Sequence, residues 1–169
     1  QKMADSGTIL LAHTGGELSI PVLKPEYANP EILRLPLECG VTVIAAHAAT
    51  NSFLDPNYLE TFAAMLKRHP NLYGDISALN TPFRSRHFRR CLDSEVMPRL
   101  VYGSDIPIPV SGLWAALRGL ISWRAYREIE KNTNLLERDC LIKRAMGFPE
   151  DVFIRLSTML RTNDAGTSQ

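Results

Sequence analysis

The sequence predicts an α/β protein built on a parallel sheet of four strands. Four short apolar runs alternate with segments of helical spacing, and the second run, residues 41–47, is a continuous apolar run rather than an alternating one. A continuous apolar run is typical of a parallel strand covered on both faces. Strands that alternate with helices indicate right-handed βαβ units. The 169 residues, 45% of them hydrophobic, are in the range of one domain.

Each predicted strand is short and ends at a polar residue or a glycine. The strands are expected at residues 8–13, 41–47, 72–77 and 99–102. Gly74, inside the third strand, indicates a bend or a close approach of another part of the chain.

The helices are expected between and after the strands. They are predicted over residues 31–38, 55–68, 84–93, 113–126, 135–146 and 149–161. Asp55 and Asn134 are the expected N-caps of the second and fifth of these helices, although Asn132 or Thr133 would serve as well as Asn134. We expect residues 1–162 to form a single domain and residues 163–169 to form a polar C-terminal tail.

The composition excludes several classes of protein. With 19 Lys and Arg against 18 Asp and Glu, the formal net charge is +1, which gives no overall field for nucleic acid or an anionic membrane. No apolar run reaches the ~20 residues that span a bilayer, and the first residues lack the apolar region of a signal peptide. The three cysteines are widely spaced, which argues against a disulfide framework or a zinc knuckle. We therefore expect a cytoplasmic protein with no nucleic acid and no membrane partner.

Three of the four predicted strands end in a side chain that can bind a metal: His13, His47 and Asp105. The carboxyl ends of parallel strands in a barrel meet on one face, where active sites lie. Two imidazoles and a carboxylate suit Zn²⁺, Mn²⁺ or Fe²⁺, and an open coordination position would activate water. Asp105 is also a candidate proton acceptor. A structural role is the alternative for each histidine taken alone.

Four segments together resemble one known family. They are HTGGE at residues 13–17, GVTVIAAH at 40–47, NLYGDISA at 71–78 and YGSDIP at 102–107. In this combination they are similar to the amidohydrolase superfamily, and more narrowly to its amidohydrolase-2 branch of metal-dependent hydrolases, which includes aminocarboxymuconate semialdehyde decarboxylase. The resemblance extends from about Thr8 to Leu160.

The resemblance implies a TIM (β/α)8-type barrel and a role for each matched residue. His13, His47 and Asp105 match metal-binding positions at the ends of barrel strands five, six and eight, with zinc the first expectation and manganese or iron possible. Asp105 and His47 would be catalytic, with Asp105 moving the proton and His47 or a neighbour polarising the carbonyl. Glu17, in the loop after strand five, would bind a small-molecule substrate, although an exposed loop carboxylate is as good an interpretation. The implied reaction is hydrolysis of an amide, lactone or ester, or a related decarboxylation.

The sequence departs from the family pattern at the start of the barrel. The His-x-His pair of strand one is absent, and four strands amount to the C-terminal half of a barrel that takes ~250 residues when complete. A half-barrel exposes two sheet edges, so we expect a homodimer or higher homo-oligomer that covers the open half-barrel. The alternative function is a non-catalytic half-barrel remnant that acts as an oligomeric binding or scaffold module.

Three further features have simpler interpretations. The basic cluster would bind a carboxylate or phosphate of a substrate, or a nucleic-acid backbone, but a solvated helix face is preferred. Its members are Arg84, Arg86, His87, Arg89 and Arg90. Asp75, inside the third strand beside Gly74, would point into the barrel or pair with a nearby arginine, and the arginine partner is preferred. Trp114, Trp123 and Tyr126 are expected in a core or an oligomer contact rather than beside a ligand.

Overall fold

The computed structural model describes residues 1–17 and 24–166, with side chains described as far as residue 160. Its centre is one sheet of four parallel strands in the order β1-β2-β3-β4. The strands are β1 (Leu10–Ala12), β2 (Val43–Ala45), β3 (Leu72–Asp75) and β4 (Leu100–Val101). All four predicted strands are confirmed, each shorter than its apolar run.

Eight α-helices occur in the described part of the chain. They are α1 (Lys2–Asp5), α2 (Arg34–Glu38), α3 (Leu59–Leu66), α4 (Phe88–Cys91), α5 (Leu113–Leu117), α6 (Trp123–Ile129), α7 (Leu135–Ala145) and α8 (Glu150–Gly166). Short 3-10 helices cover Pro25–Ala28, Pro30–Leu33, Ala46–Ala49, Arg84–His87 and Met97–Arg99. None of the described helices is both long enough and apolar enough to cross a bilayer.

The core lies between the sheet and the helices packed on it. Val43, Leu72 and Leu100, one from each of β2, β3 and β4, are fully buried, and Phe62 and Met65 of α3 are buried with them. The crowding predicted at Gly74 is confirmed, because a Cβ added there would lie 2.6 Å from Phe62 Cζ and 3.2 Å from Ala48 Cα. A glycine at this position lets α3 and the segment after β2 pack tightly behind the site.

Two helix predictions are wrong: the start of the helix predicted over residues 55–68, and the continuity of the helix predicted over residues 113–126. Asp55 does not cap α3, which begins four residues later, because its carboxylate accepts hydrogen bonds from Ser52 and Phe53 instead. The helix expected over 113–126 is divided into α5 and α6, since Gly119 has a φ of +69° and Ser122 caps a new helix by accepting from Ala125 N.

In the C-terminal region the predicted N-cap is found at Asn134, but the last helix is longer than predicted. Asn134 caps α7 as predicted and accepts from the backbone N–H groups of Leu136 and Glu137. The last helix runs past Arg161 to Gly166, into the segment expected to be a tail, of which residues 167–169 lie outside the described residues.

The two outer edges of the sheet differ. At β4 the outward backbone groups are satisfied by α8: Val152 O accepts from Tyr102 N at 2.9 Å, and Arg155 donates to Leu100 O. At β1, Leu10 N donates to Thr42 O, which turns the N–H and C=O of Leu11 away from β2. The Leu11 side chain is 64% exposed. The expectation of two exposed edges is therefore correct at β1 and wrong at β4.

Candidate active site at the carboxyl ends of the strands

The predicted site residues meet at the carboxyl end of the sheet. The imidazole of His13, after β1, lies edge-on to that of His47, after β2, with ring centroids 5.2 Å apart. The carboxylate oxygen Oδ2 of Asp105, after β4, lies 3.9 Å from Nδ1 of His47. Glu17 Oε2 is 3.9 Å from His13 Nε2. The parallel strands thus bring together His13, His47 and Asp105, which are far apart in the sequence, and Glu17 lies in the loop that follows His13.

The backbone at two of these residues is held in an uncommon conformation. His47 has a φ of +59° and Asp105 a φ of +66°, in the left-handed region that non-glycine residues rarely occupy. Such a residue costs of order 1–3 kcal/mol, and residues of this kind cluster at functional sites. The fold therefore maintains both side chains in place at a cost in stability.

Asp75 and Ser77, at the end of β3, fix the orientation of His47. Asp75 Oδ1 accepts from the backbone N of His47 at 2.8 Å and from Ser77 N at 2.9 Å, and it also accepts from the Ser77 hydroxyl. Ser77 Oγ lies 2.8 Å from His47 Nδ1. Among the described residues Asp75 forms no ion pair with an arginine, so the prediction of an arginine partner is wrong. The carboxylate points into the site because three donors of the site converge on it.

This chain of contacts assigns the proton on His47. An ionised carboxylate only accepts, so the single hydrogen of Ser77 Oγ goes to Asp75. Ser77 Oγ then accepts from His47, which places the proton on Nδ1 and leaves a lone pair on Nε2. Burial, and next the positive charge of Arg84, lower the pKa of His47 below its usual 6.5. The imidazole is therefore neutral at pH 7, with Nε2 able to accept a proton.

A cavity of about 480 Å³ opens at this end of the sheet. His47, Asp105, Glu17 and Arg84 contribute to its wall, and Asp105 is 37% exposed there. The apolar lining comes from Ala78, Pro82, Phe83, Ile108, Pro109 and Trp114. The volume is in the range of small-molecule sites.

Arg84 and Trp114 line the cavity, whereas the sequence favoured a solvated helix face for Arg84 and a core or oligomer contact for Trp114. Arg84 is only 5% exposed, so the preferred interpretation of a solvated helix face is wrong for it. Arg86 and Arg90 of the same cluster are at the surface, where Arg90 pairs with Glu60 and Asp93. Their spacing in the sequence does not distinguish them from Arg84, since the acceptors of Arg84 are distant in the chain.

A buried ion pair supports the loop that carries Asp105. Lys143 and Asp139 of α7 are fully buried, and Lys143 Nζ donates at 2.6 Å both to Asp139 Oδ2 and to the carbonyl oxygen of Gly103. Gly103 is close to the other side of the site as well, because a Cβ there would lie 3.2 Å from Asp75 Cγ. The segment after β4 is thus held between α7 and β3.

The donor set of the site suits a divalent metal in type but not in placement. Two imidazoles and a carboxylate are ligands that zinc, manganese and iron accept. Nε2 of His47 has a lone pair for such an ion, but no group of three or more His, Cys, Asp or Glu side chains in the described ranges is placed to hold one. These residues do not by themselves form a metal centre.

Comparisons with known proteins agree with this architecture. The chain is similar in structure to an uncharacterized TIM-barrel protein from Bordetella bronchiseptica, with a TM-score of 0.51 and 20% sequence identity over 85% of this chain. The chain spans about half the length of that barrel protein, 49%, which agrees with a half-barrel. None of the curated proteins matches it. The sequence profile of the amidohydrolase family matches residues 1–130, and members of that family usually bind divalent metals. This match covers most of the chain, which therefore belongs to the amidohydrolase-2 family.

Proposed function

We propose that the chain carries the acid–base part of a hydrolase site that acts on an ester, a lactone or an amide. The pairing of His47 with Asp105 at the wall of the cavity is the observation that carries the proposal. A neutral imidazole with a defined lone pair and a partly exposed carboxylate are the two groups that proton transfer needs.

Each residue has a distinct part in the proposed reaction. Asp105 accepts the proton of the attacking water as the oxygen bonds to the substrate carbonyl, and then gives it to the leaving oxygen or nitrogen. His47 accepts a hydrogen bond at Nε2 and so orients the water or the substrate. Its fixed tautomer favours this accepting role over the carbonyl-polarising role expected from the sequence. Glu17, on the cavity wall beside His13, would contact the substrate at the mouth.

A divalent metal remains part of the proposal at the level of the family. Zinc, with manganese or iron as alternatives, is the cofactor that the resemblance implies for His13, His47 and Asp105. Because the described side chains do not form a three-ligand group, the proton steps above are written for the protein residues alone. A metal at this place needs a rearrangement of these residues or donors from outside the described part of the chain.

The test is turnover by matched variants of the full chain. Asp105→Asn keeps the shape of the side chain and removes its basicity, so we expect turnover of p-nitrophenyl esters, lactones and anilides to be abolished with the fold intact. Asp93→Asn removes an exposed carboxylate outside the site and is the control. Unchanged turnover by the Asp105 variant would overturn the proposal. Carbon dioxide release from aromatic acids, lost in the same variant, would assign the decarboxylase reaction instead.

A second candidate, a homo-oligomeric binding or scaffold module, is favoured by the β1 edge. Leu11 presents an exposed apolar side chain at this edge, and its backbone N–H and C=O have no hydrogen-bond partner within the described ranges. A second copy would cover the edge by adding its own β1, which continues the sheet through a two-fold axis. In that case the cavity would bind ligand without turnover.

A further inference from the structure

Arg84 is a buried cation whose described hydrogen bonds all go to neutral oxygens. Its Nη1 donates to Thr50 O and, at 3.1 Å, to Thr50 Oγ1, and its Nη2 donates to Gly16 O at 2.5 Å. A guanidinium has five N–H donors, so these three bonds leave two for a further acceptor. Among the described residues, none of the ion pairs involves Arg84.

Such an arrangement is costly unless nearby carboxylates or a bound anion compensate the charge. Burial lowers the pKa of Arg84, while Asp105, Asp55, Glu17 and Asp75 raise it from beyond contact distance. A buried charge is stabilised when it is paired and hydrogen-bonded, and an uncompensated one destabilises the fold. The two backbone carbonyls fix the plane of the guanidinium, so the donors are already oriented before any ligand arrives.

The position of Arg84 connects this cation to the proposed chemistry. It lines the same cavity as His47 and Asp105. The wall also holds two aromatic side chains, Phe83 and Trp114, with Ile108 and Pro109 beside them. A ligand that satisfies both parts of the lining has a carboxylate for Arg84 and a small ring or apolar chain for the rest, since the planar guanidinium matches a carboxylate in a two-point contact.

We infer that Arg84 binds a carboxylate of the substrate, so that the site accepts small carboxylic acids with an aromatic or apolar body. This inference rests on the proposed function only for the reaction that follows binding. The binding itself stands on the placement of Arg84 in the cavity.

The first experiment compares benzoate with benzamide on the full chain, by calorimetry and by the fluorescence of Trp114. The two probes have the same shape and differ in charge. We expect benzoate to bind about tenfold more tightly or better, because hydrogen bonds to a charged group are stronger than neutral ones. The signal should persist in Trp123→Phe and disappear in Trp114→Phe, which places the ligand in the cavity. Equal affinity for the two probes would overturn the inference.

The second experiment measures the benzoate affinity of matched arginine variants. Arg84→Gln should reduce benzoate affinity to that of benzamide, and Arg84→Lys should retain part of it because the charge remains. Arg118→Gln is the control, since Arg118 donates to Ser85 Oγ and Pro82 O and lies outside the cavity lining. Unchanged benzoate binding in a folded Arg84→Gln protein would contradict the inference. If that variant does not fold, the Arg84→Lys protein and the benzoate-to-benzamide ratio of the unmodified chain decide the question.

The outcomes separate this inference from the proposed function. Carboxylate binding that depends on Arg84, with no turnover of any ester, lactone or acid, supports the inference and contradicts the hydrolase proposal alone. Turnover that depends on Asp105, with no preference for a carboxylate, contradicts the inference alone.

Discussion

The Ser77 hydroxyl oxygen lies 2.8 Å from His47 Nδ1, while its own hydrogen is donated to Asp75. This contact fixes which nitrogen of the imidazole is free. Ser77→Ala should lower kcat by about 10- to 100-fold, the usual range when an outer partner of a functional histidine is lost. The acid limb of the pH–rate profile should move as well, because the environment of the His47 proton changes. Ser77→Thr, which retains the hydroxyl, should recover much of the activity. A kcat in Ser77→Ala equal to that of the unmodified protein would contradict the tautomer assignment.

Metal content tests whether His13, His47 and Asp105 suffice as ligands. Since no described group of three is placed to hold a metal, we expect zinc at well below one per chain after dialysis, measured by inductively coupled plasma mass spectrometry. Zinc that is retained should fall further in His13→Ala and stay unchanged in His69→Ala, a histidine outside the site. Near-stoichiometric zinc after dialysis would contradict this expectation and would establish that the three residues converge in solution.

The buried pair of Lys143 and Asp139 should dominate the stability of α7. Lys143→Met leaves the Asp139 carboxylate buried without its cation, and breaking a buried pair in this way costs about 3–5 kcal/mol of unfolding free energy. The double variant Lys143→Met with Asp139→Leu should regain much of this loss, because neither charge remains. Urea denaturation measures both. A double variant that is less stable than Lys143→Met alone would contradict the desolvation argument.

Protonation of His87 should destabilise the fold in acid. Burial, and then the charges of Arg86, Arg84 and Arg118, lower its pKa from 6.5 to about 4. Between these values the unfolded chain binds a proton that the folded chain does not, so the unfolding free energy falls as the pH falls through this window. His87→Gln removes this contribution, and its stability should change less between about pH 7 and about pH 4.5, measured in urea. Equal losses in the two proteins would contradict this assignment.

The sequence predicted the polar residues at the carboxyl ends of the strands better than it predicted the bounds of the helices. His13, His47 and Asp105 are adjacent because a parallel sheet aligns its strand ends, a rule that needs only local strand patterns. The strand pattern does not predict that Arg84 is buried, because the oxygens that accept its hydrogen bonds belong to Gly16 and Thr50, far away in the chain. Helical spacing predicts one helix over residues 84–93 with its arginines on a solvated face. In the structure residues 84–87 form a 3-10 helix in which Arg84 is buried.

Asp75 illustrates the same limit. A buried carboxylate suggests an arginine partner, and the sequence contains many. The donors that satisfy Asp75 are the backbone N–H groups of His47 and Ser77, and backbone donors carry no signature in the sequence. His47 also adopts a positive φ, a conformation that its residue type does not predict.

The exposed edge at β1 gives the last prediction, a homodimer joined through Leu11. We expect light scattering to give the mass of two chains, because α8 already covers the β4 edge of the described sheet and β1 remains as the edge that can extend it. Leu11→Lys should shift the protein to a monomer, since a charged side chain at an edge opposes strand pairing. Leu54→Lys is the matched control: Leu54 is 85% exposed but lies outside the sheet, so its substitution should leave the mass unchanged. An unmodified chain that is monomeric at all concentrations would contradict the dimer. Retention of the dimer in Leu11→Lys would place the interface on another surface.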